Sequence, residues 1–184
     1  GNKLFETRLE WPPVFDGLSA AQARIVALMG RLIDAPAGRR VFHAGEPGSG
    51  LYVMISGEVR TWVSREEGRV TLGRYLRGES VGVVGFFHGE YSAHCDVDQD
   101  ARMLRLSANC LEQLGRRYPR IAAAVHGNLN RALAARLRLR TRESALDEAF
   151  FRVPAIFQPQ SGGAPGADLA LDPSLSEALA GLGL

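Results

Sequence analysis

This chain has only two cysteines, Cys95 and Cys110, and neither sits in a C-x-x-C pair or beside two histidines. That argues against a disulfide framework and against a zinc site, and leaves two reduced, packed thiols as the expectation. No stretch reaches the roughly 18 apolar residues that a membrane span requires. No secretory signal opens the chain, so a cytoplasmic setting is expected, which includes the cytosolic portion of a membrane protein. The formal net charge is +2, so bulk charge names no partner. No repeat of solenoid period is present. Catalytic groups are not assembled either: His43, His88, His94 and His126 are scattered along the chain. Asp96, Asp98 and Asp100 alternate near an expected turn at residues 98–100, without the glycine and the closing glutamate of a calcium loop. The reading is a non-enzymatic chain with no metal site.

What the sequence does have is one apolar core's worth of material in 184 residues, enough for a single domain with extensions. Residues 1–13 form a short extension ending in Trp11-Pro12-Pro13. Ser19 is a good N-cap for an amphipathic helix that runs on through Leu28 and Met29 to Leu32. Short strand-like runs then recur about every ten residues, separated by Gly-rich turns such as Gly45-Glu46-Pro47-Gly48-Ser49-Gly50. Residues 51–55 and 58–64 read as two strands broken at Ser56-Gly57, and residues 93–97 and 101–106 as a hairpin around residues 98–100. Ser107 caps a short helix, and Pro119 opens a long one that extends to about residue 149. The fold class is mainly β with α: an antiparallel β-roll, jelly-roll-like, flanked by one N-terminal helix and two C-terminal helices.

The stretch on which the rest turns is residues 78–94, GESVGVVGFFHGEYSAH. Glycines at this density permit close backbone approach and convergent N–H groups, the ingredients of an anion cradle built without a lysine. A tight buried turn between two strands is the plainer reading of the same residues.

Three segments in order resemble a cyclic nucleotide-binding domain, the β-roll module of the catabolite activators, cyclic nucleotide-gated channels and cyclic nucleotide-dependent kinases. They are VFDGLS at residues 14–19, VFHAGEPG at 41–48 with LYVMISGEV at 51–59, and the loop just described. The resemblance covers residues 15–144 and places the phosphate-binding cassette at Gly82, Val83, Val84, Gly85, Phe86, Tyr91, Ser92 and Ala93. It implies a cyclic nucleotide or another small anionic ligand. Yet this cassette departs from the family at both polar contacts. Val83 stands where a glutamate binds the ribose, and Tyr91 where an arginine neutralises the phosphate. A charge-assisted bond of that kind contributes about 1.5–3 kcal/mol, so its loss costs roughly tenfold to a hundredfold in affinity. Arg60 and Arg74 lie on strands whose facing alternation alone does not settle. Three readings of the loop stay open: weak nucleotide binding through backbone amides, a pocket retuned for a different ligand, or a pocket filled by its own side chains.

The long helix, residues 119–149, carries Ile121, Val125, Leu129, Leu133 and Leu137 at intervals of four. At ~3.6 residues per turn that series drifts by about 40° per step, so the early turns pack on the roll and the later ones face elsewhere. Leu133, Arg136, Leu137, Leu139 and Arg140 are therefore the expected surface for a second copy or a neighbouring domain. Residues 116–142 hold eight arginines and no acid, whereas residues 143–184 hold six acids and one arginine. That Pro- and Gly-rich tail, residues 150–184, has a capping pattern for a short helix at 174–182 but no second helix pair and no basic recognition surface, so DNA binding is not expected. The function implied is that of a regulatory or sensor domain within a larger transporter, channel or signalling protein; the alternative is a ligand-free assembly module.

Overall fold

The computed structural model describes residues 11–143 and, of those that follow, only Glu177, Ala180 and Gly181; side chains of the last helix are described as far as Arg138. Of the expected residue 174–182 helix, Glu177, Ala180 and Gly181 are described and are helical; its other positions, the Leu139 and Arg140 side chains and residues 144–149 of the long helix lie outside the described residues.

A 3-10 turn, Pro13–Phe15, leads into α1, Ala20–Met29. Ser19 Oγ accepts from the Gln22 amide at 3.2 Å while Gln22 Oε1 accepts from the Ser19 amide at 2.9 Å, a complete capping box. The helix is shorter than its periodicity suggests. It stops at Gly30, and Leu32 and Ile33 enter strand β1, Arg31–Ala35, opposite Leu104 and Met103. A methyl group at Gly30 would stand 2.7 Å from Leu104 Cδ1 and 3.0 Å from the Arg105 carbonyl oxygen, so the chain turns from helix to sheet at a crowded point that glycine suits.

The sheet has six antiparallel strands in the order β1-β6-β3-β4, with β2, Arg40–Phe42, on β6 and β5, Ser80–Val81, on β3. β3 is Gly50–Arg65, β4 is Gly68–Tyr75 and β6 is His94–Ser107. Two expected breaks are therefore absent. Ser56-Gly57 does not end a strand; β3 passes through it with register shifts against β6. Residues 98–100 do not turn; they lie inside β6, where Asp96 pairs with Arg40, Asp98 with Arg60 and Arg74, and Asp100 Oδ1 accepts from the Ala37 amide at 2.8 Å. The acids are the polar face of a strand whose other face, Cys95, Val97 and Ala101, is buried.

Strand alternation divides the interior in two. Leu51, Val53, Ile55, Leu104 and Leu106 face the helices, joining Val26 and Ala27 of α1, Leu111 and Leu114 of α3 (Ala108–Arg117), and Ile121, Val125 and Leu129 of α4 (Pro119–Glu143). Tyr52, Met54, Val59, Cys95, Val97 and Met103 face the inside of the roll, with Phe42, Val81 and Tyr91. Both cysteines are free and buried; burial raises the Cys95 thiol to about 12 and the Cys110 thiol to about 11, so both stay protonated. Residues 78–94 do not form a plain loop: β5 is followed by a short helix α2, Val83–His88.

Gly57 is the point where β3 bends against β6. Its φ is +79°, and an added methyl would lie 2.2 Å from the Asp100 carbonyl oxygen. Gly45 has a similar φ of +85° with open space around it. Gly45→Ala is expected to cost about 1–2 kcal/mol from backbone strain alone. Gly57→Ala adds a collision between strands and should cost about 3 kcal/mol or more. Urea unfolding of both variants checks this; equal midpoints would remove the role assigned to the Gly57 contact.

Candidate functional site

A cavity of about 500 Å³ lies between the roll and α4. This is within the roughly 300–1,000 Å³ typical of small-molecule sites. Its floor comes from the predicted cassette. Gly82 caps α2 in the left-handed conformation (φ +83°), a position where a methyl would meet the Tyr91 and Phe42 rings at 3.3 and 3.4 Å. Gly82, Val83, Val84, Gly85, Tyr91, Ser92 and Ala93 all line the cavity. Phe86 does not: with Phe87 it packs on the helix-side core, and Phe87 meets His126 of α4 at a ring separation of 6.2 Å.

Tyr91 is the residue on which an open or a filled pocket depends. Its ring stacks on Phe42 with centroids 3.9 Å apart and planes inclined by 13°. Its hydroxyl donates to the Gly50 carbonyl at 2.5 Å. The side chain is thus drawn into the roll core and is 3% exposed, forming a wall of the cavity without filling it. Burial also raises the phenol above its usual range, so the donor is neutral. Gly85 makes this possible, since a methyl there would lie 2.3 Å from Tyr91 Cδ1.

Arg60 and Arg74, whose facing the alternation alone left open, do not line the cavity. Arg60 pairs with Asp98 at 3.4 Å, and Arg74 with Glu58 at 2.7 Å and Asp98 at 3.1 Å. His88 is exposed. His94 belongs to a cluster on the outer face, where its Nδ1 accepts from the Ala44 amide at 3.1 Å and its ring lies 4.5 Å from Trp62. Partial burial, followed by the neighbouring Arg40 charge, lowers its basicity. Asp96 in the same cluster is pushed up by burial, but the hydrogen bonds from Arg40 and from Trp62 Nε1 (2.7 Å) outweigh that and hold its carboxyl below the usual range.

The cations at the cavity come instead from α4: Arg131 and Arg136. Arg136 occupies a shaped seat. Its guanidinium carbon sits 3.6 Å over the Tyr75 ring centroid, and its Nη2 donates to Glu79 Oε1 at 3.1 Å and more weakly to the Arg74 carbonyl at 3.4 Å. A methyl at Gly73 would lie 2.9 Å from Arg136 Nη1, so the bare backbone of β4 leaves room for the group. Leu133 is 7% exposed and Leu137 half-buried, and both line the cavity. Three of the residues expected to face a partner are thus placed against the roll of their own chain.

Thr61, Leu72 and Tyr75 line the cavity from outside the quoted motifs, and Val14, Asp16 and Glu79 line it from within them without having been singled out as site residues. Asn128 also lines it. It is buried, and its Nδ2 donates to the Val14 carbonyl at 2.9 Å and the Asp16 carbonyl at 2.8 Å. A lone amide within an apolar helical stripe is the signal that would have found it. Removing either of two buried groups tests this packing. Tyr91→Phe leaves the Gly50 carbonyl unpaired and should cost about 1–3 kcal/mol, and Asn128→Ala, which orphans two carbonyls, at least as much. Thermal unfolding of the two variants is the check; a Tyr91→Phe variant as stable as the parent would mean that the hydroxyl does not anchor the ring.

Comparison with known proteins agrees with this architecture. Residues 32–118 match the cyclic nucleotide-binding domain family. Patatin-like phospholipase domain-containing protein 7 of Rattus norvegicus is 28% identical over 127 residues, 64% of this chain and 9% of that protein. The cyclic AMP receptor protein of Thermus thermophilus is 31% identical over 128 residues, 68% of this chain and 57% of that protein. Among solved structures, a cyclic nucleotide-binding domain from Methylobacillus flagellatus is 25% identical with a TM-score of 0.69, over 80% of this chain and 88% of that one. The chain therefore spans a small part of the first of these relatives and somewhat over half of the second. The roll formed by residues 32–118 is a member of the cyclic nucleotide-binding domain family.

Proposed function

We propose that this chain acts as a ligand-responsive regulatory domain in which α4 reports whether the cavity is occupied. The observation that carries the reading is the construction of the cavity: the roll supplies one wall and α4 the other. A molecule entering it touches both. The two parts of α4 are held differently. Ile121, Val125 and Leu129 are buried in the helix-side core, and Asn128 ties the same turns to the N-terminal turn. The helix borders the cavity from Asn128 to Leu137, and beyond its buried turns Arg136 provides its polar attachment to the roll. Occupancy is then free to move the second part about the first, which is a hinge within a packed element rather than a displacement of the whole helix.

The family resemblance and the cyclic AMP receptor relative make a cyclic nucleotide the first ligand to consider. Val83 and Tyr91 deprive it of the ribose and phosphate partners, so its affinity falls by roughly tenfold to a hundredfold for the phosphate contact alone. In this reading the domain is non-catalytic and serves a larger protein, whose remaining parts supply whatever activity is regulated. The site residues are Gly82, Val83, Val84, Gly85, Tyr91, Ser92 and Ala93 on the roll, with Leu133, Arg136 and Leu137 on the helix. An assembly module without a ligand is the second reading; it draws support from a pocket plugged by Tyr91, and Tyr91 is packed elsewhere.

Hydrogen exchange of the full chain, with and without saturating cyclic AMP, cyclic GMP or cyclic di-GMP, tests the hinge. Any ligand that binds should change protection in residues 131–138 at least severalfold while leaving 121–127 unaltered. Binding without a change in α4 would sink the relay, and a uniform change along α4 would sink the hinge.

A further inference from the structure

The charge at this cavity is reversed relative to the one a cyclic nucleotide needs. Toward the roll, the walls are Val83, Val84, Ala93, Leu72 and the Tyr75 and Tyr91 rings, with hydroxyls from Thr61, Ser80 and Ser92; among the described residues the lining carboxylates are Asp16, on the N-terminal turn, and Glu79, which is already paired with Arg136. The lining cations among the described residues, Arg131 and Arg136, both stand on the helix. A nucleotide would put its anionic end against apolar roll residues and its heterocycle against arginines. A molecule with an apolar body and one anionic end fits the other way round. Arg136 is the better anchor of the two, because its seat fixes the guanidinium plane: Tyr75 beneath it, Gly73 giving it space, and Glu79 along one edge. A fork held in this manner favours a planar carboxylate.

We propose that the cavity takes a small amphipathic carboxylate, with its apolar body against the roll and its head group on Arg136. This rests on the regulatory reading above and names the ligand class for that site. It also gives occupancy a lever. The incoming carboxylate competes with Glu79 for the same guanidinium, so binding loosens the one ion pair that joins α4 to the segment between β4 and β5 among the described residues. Glu79 remains in place through its other oxygen, which accepts from the Leu76 amide at 2.8 Å.

Calorimetric titration of the full chain with decanoate, decan-1-ol and cyclic AMP is the test. Decanoate should bind with a stoichiometry of about one, and decanol, which lacks the charge, at least tenfold more weakly. Arg136→Gln should weaken decanoate at least tenfold and Arg136→Lys less. Arg136→Gln also removes a contact of α4, so Glu79→Gln is the decisive variant. The glutamine oxygen still accepts from the Leu76 amide, its amide no longer competes for Arg136, and decanoate should bind severalfold tighter. A gain in affinity does not arise from damage to the fold. Equal binding of decanoate and decanol, or a Glu79→Gln variant with unchanged affinity, overturns the assignment. If cyclic AMP binds and decanoate does not, the ligand class is wrong and the regulatory reading stands. If a ligand binds and protection in α4 does not change, that reading fails while the ligand class survives.

Discussion

The antiparallel pairing of β3 with β6 is the constraint on which the rest of the molecule depends. These two strands run together from Gly50–Ser107 at one end to Trp62–His94 at the other. Because strand side chains alternate, each strand serves two interiors at once. Leu51, Val53 and Ile55 with Leu104 and Leu106 form the platform on which the helices sit, while Tyr52, Met54, Cys95, Val97 and Met103 fill the roll. A one-residue slip in this pair would exchange the two sets and dissolve both cores. The register is adjusted only around Ser56 and Gly57, where shifts allow Val59 and Thr61 to continue facing the roll and the cavity.

The same pairing fixes the site. Gly50, at the start of β3, offers its carbonyl to the Tyr91 hydroxyl, and Phe42 on β2 offers its ring face. Tyr91 is therefore held by elements of the roll, not by the cassette helix next to it in sequence. Tyr91 contributes a buried hydrogen bond and a stacked ring pair to the core. The cavity stays open for the same reason: a side chain that packs into the roll wall does not project into the space in front of it.

Much of the fold was legible because it is carried by local chemistry. Ser19 and Ser107 cap the helices expected of them, and Gly-rich turns separate most strands where expected. The misreadings arose where a polar or small residue was taken as punctuation. Asp98-Gln99-Asp100 looks like a turn by composition, yet Cys95, Val97 and Ala101 keep a two-residue alternation through it, and Val97 and Gln99 pair with Val59 and Glu58 of β3. Gly30 and Gly57 were comparable. One ends a helix earlier than the apolar stripe suggests; the other bends a strand without ending it. In each case the deciding partner lies far away in sequence, so no window of neighbouring residues contains the information.

The site was legible only on one side. A linear motif marks the cassette, since its glycines fall within one short stretch of the chain, but the opposing wall is drawn from β3, β4, the N-terminal turn and α4. Arg136 illustrates the limit. Along the helix it is one arginine in a basic run and reads as a solvated or partner-facing charge. Its role depends on a glycine at position 73, a tyrosine at 75 and a glutamate at 79, three residues that say nothing about it until β4 is folded beneath the helix. The drift of the apolar series points the same way. Leu137 is turned far from Ile121 around the helix, but it still meets the chain's own cavity because the wall of that cavity takes in α4 residues from Asn128 to Leu137. A helix that borders an open space needs no single buried stripe. Its successive faces meet the core, the cavity and the Arg136–Glu79 ion pair in turn.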